Sequence, residues 1–175
     1  MKMDEKKAYD RVSLLCARSE QCAFDVRRKL ITWGLSSSQA ARLIDRLRDE
    51  QFIDDERYCR AYVRDKFRFN GWGRQKIAFN LRGKQMPSEV IDAALEEIDE
   101  EQYREMLMKL LKGKLRSLAQ PSQSSQNSQN DEDDAFNPRL QKRREALIRF
   151  AASRGYEPDV FFPAVTQVIE QENNP

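Results

Sequence analysis

Histidine does not occur in the chain, which removes the side chain most used as a general base and as a metal ligand. Cysteine is nearly as scarce. Cys16, Cys22 and Cys59 form no C-x-x-C pair, and without histidine no zinc-ligand spacing can be completed. An odd thiol count, behind a first segment (Met1-Lys2-Met3-Asp4-Glu5-Lys6-Lys7) that carries no secretory signal, points to reduced cysteines acting as small apolar residues in the cytoplasm. A Gly-rich phosphate loop and a nucleophile elbow are both missing. The acidic pairs Asp54-Asp55 and Glu100-Glu101 stand where carboxylates favour the start of a helix. An enzyme is therefore not expected, nor a cofactor. No apolar run approaches the roughly 20 residues of a membrane span, so a membrane is not expected among the partners.

Proline is absent from the first half. All six prolines lie at or after Pro87, which leaves the first half without its strongest helix breaker. Apolar residues there recur at helical spacing, with no sustained alternation of the kind a strand needs. Charged residues make up 34% of the chain and the mean hydropathy is −0.82, a balance suited to a surface-rich, elongated helical protein. The net charge is only +2, so any case for a nucleic-acid partner must be local.

One pattern occurs three times. Residues 19–34 read as a helix ending at Gly34, whose left-handed conformation would let Leu35 fold back onto it. Ser36 and Gln39 have capping-box spacing, so a new helix should begin there, with Ala40, Leu43, Ile44 and Leu47 on one face. Fifty-one residues on, Met86 takes the place of Leu35 and the stripe becomes Ile91, Ala94, Leu95 and Ile98. At an offset of 121 residues, Gly155-Tyr156 precedes Phe161, Ala164, Val165 and Val168. The preceding helices agree at the same offsets: Val26 and Leu30, Ile77 and Leu81, Leu147 and Ala151. A repeat of this length means tandem units, each too small to bury a core alone. Three helices per unit are expected, the first of each over roughly 5–18, 54–69 and 100–118. The longer third spacing needs an insertion, which is the polar tract from Gln120 to Asn130 with the acidic run Asp131-Glu132-Asp133-Asp134. It reads as a disordered loop, or alternatively as an acidic mimic of nucleic acid facing a basic partner.

Charge is segregated. Between Arg57 and Lys84 stand nine basic residues against Asp65 alone; between Ser88 and Glu105 stand eight acidic residues against Arg104 alone. A second basic block comprises Arg139, Lys142, Arg143, Arg144, Arg149 and Arg154. At about 100° per residue, Arg57, Arg60, Arg64 and Arg68 share an arc of roughly 80°, with Tyr58, Tyr62 and Phe69 on the other, inward side. Such a ridge is either a solvated face balanced by the acidic third helix of a unit, or a contact surface for carboxylates or phosphates. The aromatics Phe67, Phe69, Trp72 and Phe79 form a packing seam or stack on bases. Phe79 opposes Ile77 and Leu81, which places it at an inter-repeat contact or on the surface.

These segments resemble the RecX family. Ile53-Asp54-Asp55-Glu56-Arg57-Tyr58 with Tyr62-Val63 is similar to the motif opening that family's second repeat. Gly73-Arg74-Gln75-Lys76-Ile77 with Leu81 is similar to the next helix start, with Arg74 where the family has proline. Lys84-Gln85-Met86 resembles a Lys-Gly-aliphatic turn, with Gln85 in place of glycine. Arg149-Phe150 with Arg154-Gly155-Tyr156 resembles the third repeat, and Leu14-Leu15, Arg18, Arg28-Lys29-Leu30 and Gly34 the first.

The resemblance implies an all-α fold of three tandem three-helix, helix-turn-helix-like repeats in an elongated, curved arrangement. The units would be 1–52, 53–99 and 100–175, the last with the insertion at about 120–136. It implies a monomeric cytoplasmic negative regulator of the RecA recombinase that lodges in the groove of the RecA–DNA filament. Such a protein suppresses ATP hydrolysis, coprotease action, strand exchange and filament extension, and binds DNA weakly. The candidate partner-binding residues are Arg57, Arg60, Arg64, Arg68, Arg74, Lys76, Arg82 and Lys84. The alternative is a nonspecific DNA-binding helical repeat module, which the acidic stretch after Ser88 opposes.

Overall fold

Helical spacing governs the whole described chain. The computed structural model describes residues 3–119 and 138–173, and among these there are nine α-helices and no strand. They are α1 (Glu5–Arg18), α2 (Ala23–Thr32), α3 (Ser37–Asp49), α4 (Asp55–Asn70), α5 (Arg74–Gly83), α6 (Ser88–Glu96), α7 (Glu100–Ala119), α8 (Pro138–Arg154) and α9 (Pro158–Asn173). In chain order they make three tandem three-helix repeats. The polar and acidic tract at about 120–136 lies outside the described residues. Among the described residues, no helix is long and apolar enough to cross a membrane.

The second helix of every repeat ends in the same turn. Gly34, Gln85 and Gly155 have φ of 89°, 61° and 85°. Their N–H groups donate to Ile31 O at 2.9 Å, Arg82 O at 2.9 Å and Ala152 O at 2.9 Å. The next residues, Leu35, Met86 and Tyr156, donate to Leu30 O at 3.1 Å, Leu81 O at 3.1 Å and Ala151 O at 3.2 Å. This pair of bonds is the Schellman closure, in which a left-handed residue lets the chain satisfy the last carbonyls and turn away. Leu35, Met86 and Tyr156 are buried, each supplying the apolar contact that accompanies the motif.

Burial follows the threefold pattern. Val26, Leu30, Ile77, Leu81, Leu147 and Ala151 are buried, as are all twelve stripe positions except Ala164, which is half-buried. Ser36 caps α3 as its spacing predicts: Ser36 Oγ accepts from the Gln39 N–H at 3.2 Å, and Gln39 Oε1 accepts from the Ser36 N–H at 2.9 Å. Two expectations need correction. The helix expected over 19–34 begins only at Ala23, because Ser19 and Cys22 are extended and Gln21 Nε2 donates to Ser19 Oγ at 2.9 Å, bracing the break. Phe69, expected on the inward face of α4, is 82% exposed. The buried side of α4 runs along Cys59, Val63 and Phe67, spaced four apart, and Phe69 points about 160° away from Phe67.

By compactness the chain forms two units, Met1–Asp65 with Ala78–Glu97, and Lys66–Ile77 with Ile98–Pro175. The first contains the cluster of Ala8, Val12, Val26, Leu30, Leu35, Ala40, Leu43, Ile44, Leu47 and Ile53, drawn from α1, α2, α3 and the connections that follow α2 and α3. In the second, α7, α8 and α9 pack against one another in all three pairs. Tyr103 is sandwiched there between Phe67 and Tyr156, with ring centroids 5.9 and 4.9 Å apart. Cys16, Cys22 and Cys59 are free thiols, and burial pushes all three up, Cys59 to about 11.

Two stability predictions follow from these positions. Leu43→Ala and Leu95→Ala each remove most of a buried side chain and lower the unfolding free energy by about 2–5 kcal/mol in urea titration. No change at either would place the stripes in solvent. Gln85 occupies a left-handed conformation that costs an ordinary residue about 1–2 kcal/mol, partly offset in glycine by its freer unfolded chain. Gln85→Gly should therefore raise stability by about 0.5–1 kcal/mol; a loss would mean that the glutamine side chain holds the turn.

Candidate partner-binding surface

Helix α4 begins at an aspartate. Asp54 Oδ1 accepts from the Arg57 N–H at 2.8 Å, capping the first turn, and Asp55 and Glu56 follow where the helix dipole favours them. Because α4 is continuous from Asp55 to Asn70, Arg57, Arg60, Arg64 and Arg68 fall on one side of it, as their spacing predicts. They are not equivalent. Arg57 Nε donates to Glu20 Oε1 at 2.6 Å, and its Nη2 donates to Gln51 O at 3.0 Å and Phe52 O at 3.5 Å. The Glu20 hydrogen bond also holds the Arg57 guanidinium above its ordinary value. Arg57 thus ties the chain between α3 and α4 to the end of α1. Arg60 pairs with Glu97 just past α6 at 2.7 Å, and Arg64 with its neighbour Asp65 at 3.3 Å, all four side chains more than half exposed. Arg68 is exposed, and its side chain makes no ion pair or hydrogen bond among the described residues. Pairs this exposed contribute about 0–1 kcal/mol, so an incoming anion can displace them at small cost.

The remaining four candidates divide the same way. Arg74 is built into the second compact unit. Its guanidinium lies 4.1 Å from the Tyr103 ring centroid, and its Nη2 donates to Glu100 Oε1 at 2.6 Å and Ile98 O at 3.3 Å. Its backbone N–H donates to Tyr103 Oη at 2.9 Å, and Tyr103 Oη donates to Glu157 Oε2 at 2.7 Å. Burial and the Glu157 carboxylate push the Tyr103 phenol well up. Lys76 Nζ donates to Ser153 O at 3.1 Å and lies 4.8 Å from the Trp72 ring centroid. These contacts surround a glycine-on-glycine approach: a Cβ on Gly73 would stand 2.3 Å from Gly155 O, and one on Gly155 2.3 Å from Lys76 Cβ. Lys84 Nζ donates to Asp25 Oδ2. Burial pushes the Asp25 carboxyl up, but the hydrogen bonds from Lys84 and Cys22 outweigh it and hold it below its usual range. Arg82 is exposed, with no such partner among the described residues.

The eight cations thus separate into those that hold the fold (Arg57, Arg74, Lys76 and Lys84) and those that face outward (Arg60, Arg64, Arg68 and Arg82). In the second basic block, Arg143 pairs with Glu172 at 3.2 Å and Arg154 Nη1 donates to Asn70 O at 2.7 Å, while Lys142, Arg144 and Arg149 are exposed. One feature escaped sequence reasoning. A groove of about 840 Å³ between α7 and α9 is lined by Glu100, Glu101, Arg104 and Glu105 at one end and by Lys109, Lys112 and Arg116 at the other. Its signal was available in the charge order along α7.

Comparison with known proteins places these residues. A family model described as RecX, second three-helix domain, matches residues 54–95, a window that encloses all eight cations. The chain is similar to the Regulatory protein RecX of Mycolicibacterium vanbaalenii, 32% identical over 161 residues, covering 91% of this chain and 80% of that protein. It is also similar to the Regulatory protein RecX of Clostridium botulinum (strain Eklund 17B / Type B), 31% identical over 147 residues, 84% of this chain and 61% of that one. A Mycobacterium sp. (strain KMS) relative of the same name is 34% identical over 103 residues, 59% of this chain and 56% of that one. The chain thus spans under two thirds of the length of the last two relatives. Two crystal structures share the fold: a regulatory protein RecX (TM-score 0.72, 22% identity, 95% of this chain and 71% of that chain) and RecX from Lactobacillus salivarius (TM-score 0.67, 17% identity, 97% and 96%).

The division between committed and outward cations is testable by stability alone. Arg74→Ala removes a stacked, mostly buried guanidinium and its hydrogen bonds, and should lower the unfolding free energy by about 1–3 kcal/mol. Arg68→Ala and Arg82→Ala should each stay within about 0.5 kcal/mol of wild type. Equal effects at all three would dissolve the distinction.

Proposed function

Because this chain belongs to the RecX family of regulatory proteins, we propose that it is a non-enzymatic negative regulator of the RecA recombinase. It binds the groove of the RecA–DNA filament as a monomer, in the cytoplasm, and suppresses ATP hydrolysis, strand exchange and filament extension. Its functional units are the repeats 1–52, 53–99 and 100–175. The observation that carries the reading is the outward set of Arg60, Arg64 and Arg68 on one side of α4, inside the window matched by the RecX domain model. Arg60 and Arg64 hold only the exposed partners Glu97 and Asp65, pairs weak enough for an incoming carboxylate or phosphate to displace, and the Arg68 side chain holds none among the described residues. A protein filament wound on DNA offers carboxylates and phosphates within reach of a single ridge.

A second reading, nonspecific DNA binding, draws on the exposed Lys142, Arg144 and Arg149 of α8. It predicts DNA affinity without RecA that falls steeply with salt, one step of log–log slope per phosphate neutralised. The exposed carboxylates of α6, Glu89, Asp92 and Glu96, disfavour a continuous phosphate track.

The triple variant Arg60→Glu, Arg64→Glu, Arg68→Glu tests the first reading. Arg57 is spared because it holds the α1, α3 and α4 ends together. Reversed charges across an interface cost several kcal/mol, so the concentration giving half-inhibition of RecA's ATPase on single-stranded DNA, at fixed salt, should rise about tenfold or more. Circular dichroism should stay close to wild type. A folded triple variant that inhibits like wild type would make the ridge a solvated face.

A further inference from the structure

We propose that Phe79 is an apolar anchor of this surface, inserted into a pocket with apolar walls and an acidic rim on a protein partner; the proposal rests on the RecA-filament reading above. Phe79 is 75% exposed. Helix α5 buries its opposite side through Ile77, Ala78 and Leu81, so the ring takes no part in the core. One turn on, Arg82 is exposed and its side chain makes no ion pair or hydrogen bond among the described residues, and a Cβ built on Gly83 meets nothing within 4 Å. The ring and the guanidinium therefore stand together on open helix surface.

The repeat shows that the fold does not require an aromatic at this place. At the offsets that align Val26 with Ile77 and Leu147, the residues matching Phe79 are Arg28 and Arg149, and both are exposed. The same position on the same helix thus takes an exposed arginine in two copies and a phenylalanine in one. A phenylalanine left in water forgoes about 1.5–3 kcal/mol of burial, which a matching pocket would recover. Aromatic residues and arginine are the side chains enriched at the centres of protein interfaces.

Charge selects the occupant. A base stacked on Phe79 would bring its phosphates along a basic groove, but Lys84 is engaged by Asp25, and the compact unit that holds Phe79 also presents Glu89, Asp92 and Glu96 to solvent. A protein pocket carrying one or two carboxylates beside its apolar floor matches the ring with Arg82, which can take a carboxylate in a two-pronged contact.

The test measures binding of the fluorescently labelled full chain to RecA filaments formed on single-stranded DNA with a non-hydrolysable ATP analogue, and to the same DNA without RecA. Phe79→Ser should weaken filament binding by about tenfold or more, keep the melting temperature, and leave binding to bare DNA within twofold. Phe79→Leu should keep most of the filament affinity, since the pocket requires apolar bulk. The proposal is overturned if Phe79→Ser binds filaments like wild type, if bare-DNA binding falls in parallel (the ring then stacks on bases), if Phe79→Leu is as weak as Phe79→Ser, or if Phe79→Ser melts well below wild type. Wild type failing to bind filaments would instead remove the RecA reading, and the anchor with it.

Discussion

A helix of about ten residues cannot bury a core by itself, and here the constraint is met by one turn used three times. The left-handed residue at 34, 85 and 155 releases two N–H groups to close on the carbonyls of the preceding turn, and the next residue is driven into the core. That closure sets the angle at which the third helix of each repeat leaves the second. The apolar stripes of α3, α6 and α9 meet their cores because the turn comes first. Where glutamine replaces glycine, the same bonds form at the same lengths, so the geometry is strong enough to impose an unfavourable φ on Gln85.

Long-range polar contacts separate the cations that fasten the fold from those left exposed. Arg57, Arg74, Lys76 and Lys84 each reach a carbonyl or carboxylate distant in sequence and fasten one segment to another. Arg60 also reaches a distant carboxylate, Glu97, but through a pair more than half exposed on both sides, Arg64 pairs only with its neighbour Asp65, and Arg68 and Arg82 have no side-chain partner among the described residues. A basic run that looks uniform along the chain is thus a mixture of structural fasteners and surplus charge. The surplus lies on α4 and α5, inside the window shared with the RecX second domain.

Much of this was legible in the sequence, for reasons of range. Gly34, Gly155 and the Ser36/Gln39 box act on residues within one turn, so spacing alone revealed them. The buried stripes were legible because period and offset repeat. The end of α1 at Arg18 was legible, but the extended stretch before α2 was not, since no glycine or proline marks it. The fate of Arg57 and Lys84 was hidden because their partners Glu20 and Asp25 lie 37 and 59 residues away. Phe69 was misplaced because α4 turns its inward face from Tyr58 toward Val63 and Phe67 along its length, a drift that a wheel centred on the tyrosines does not show. Phe79 was read as either an inter-repeat contact or a surface residue, and its exposure places it on the surface.

The central claim is that this chain restrains RecA, and the most direct measurement is RecA's single-stranded-DNA-dependent ATP turnover as wild-type protein is titrated in at constant salt and DNA. The account predicts a progressive fall in turnover that saturates, with the DNA still coated by RecA when the chain is added to preformed filaments. Turnover unchanged at a large excess of folded protein would contradict it.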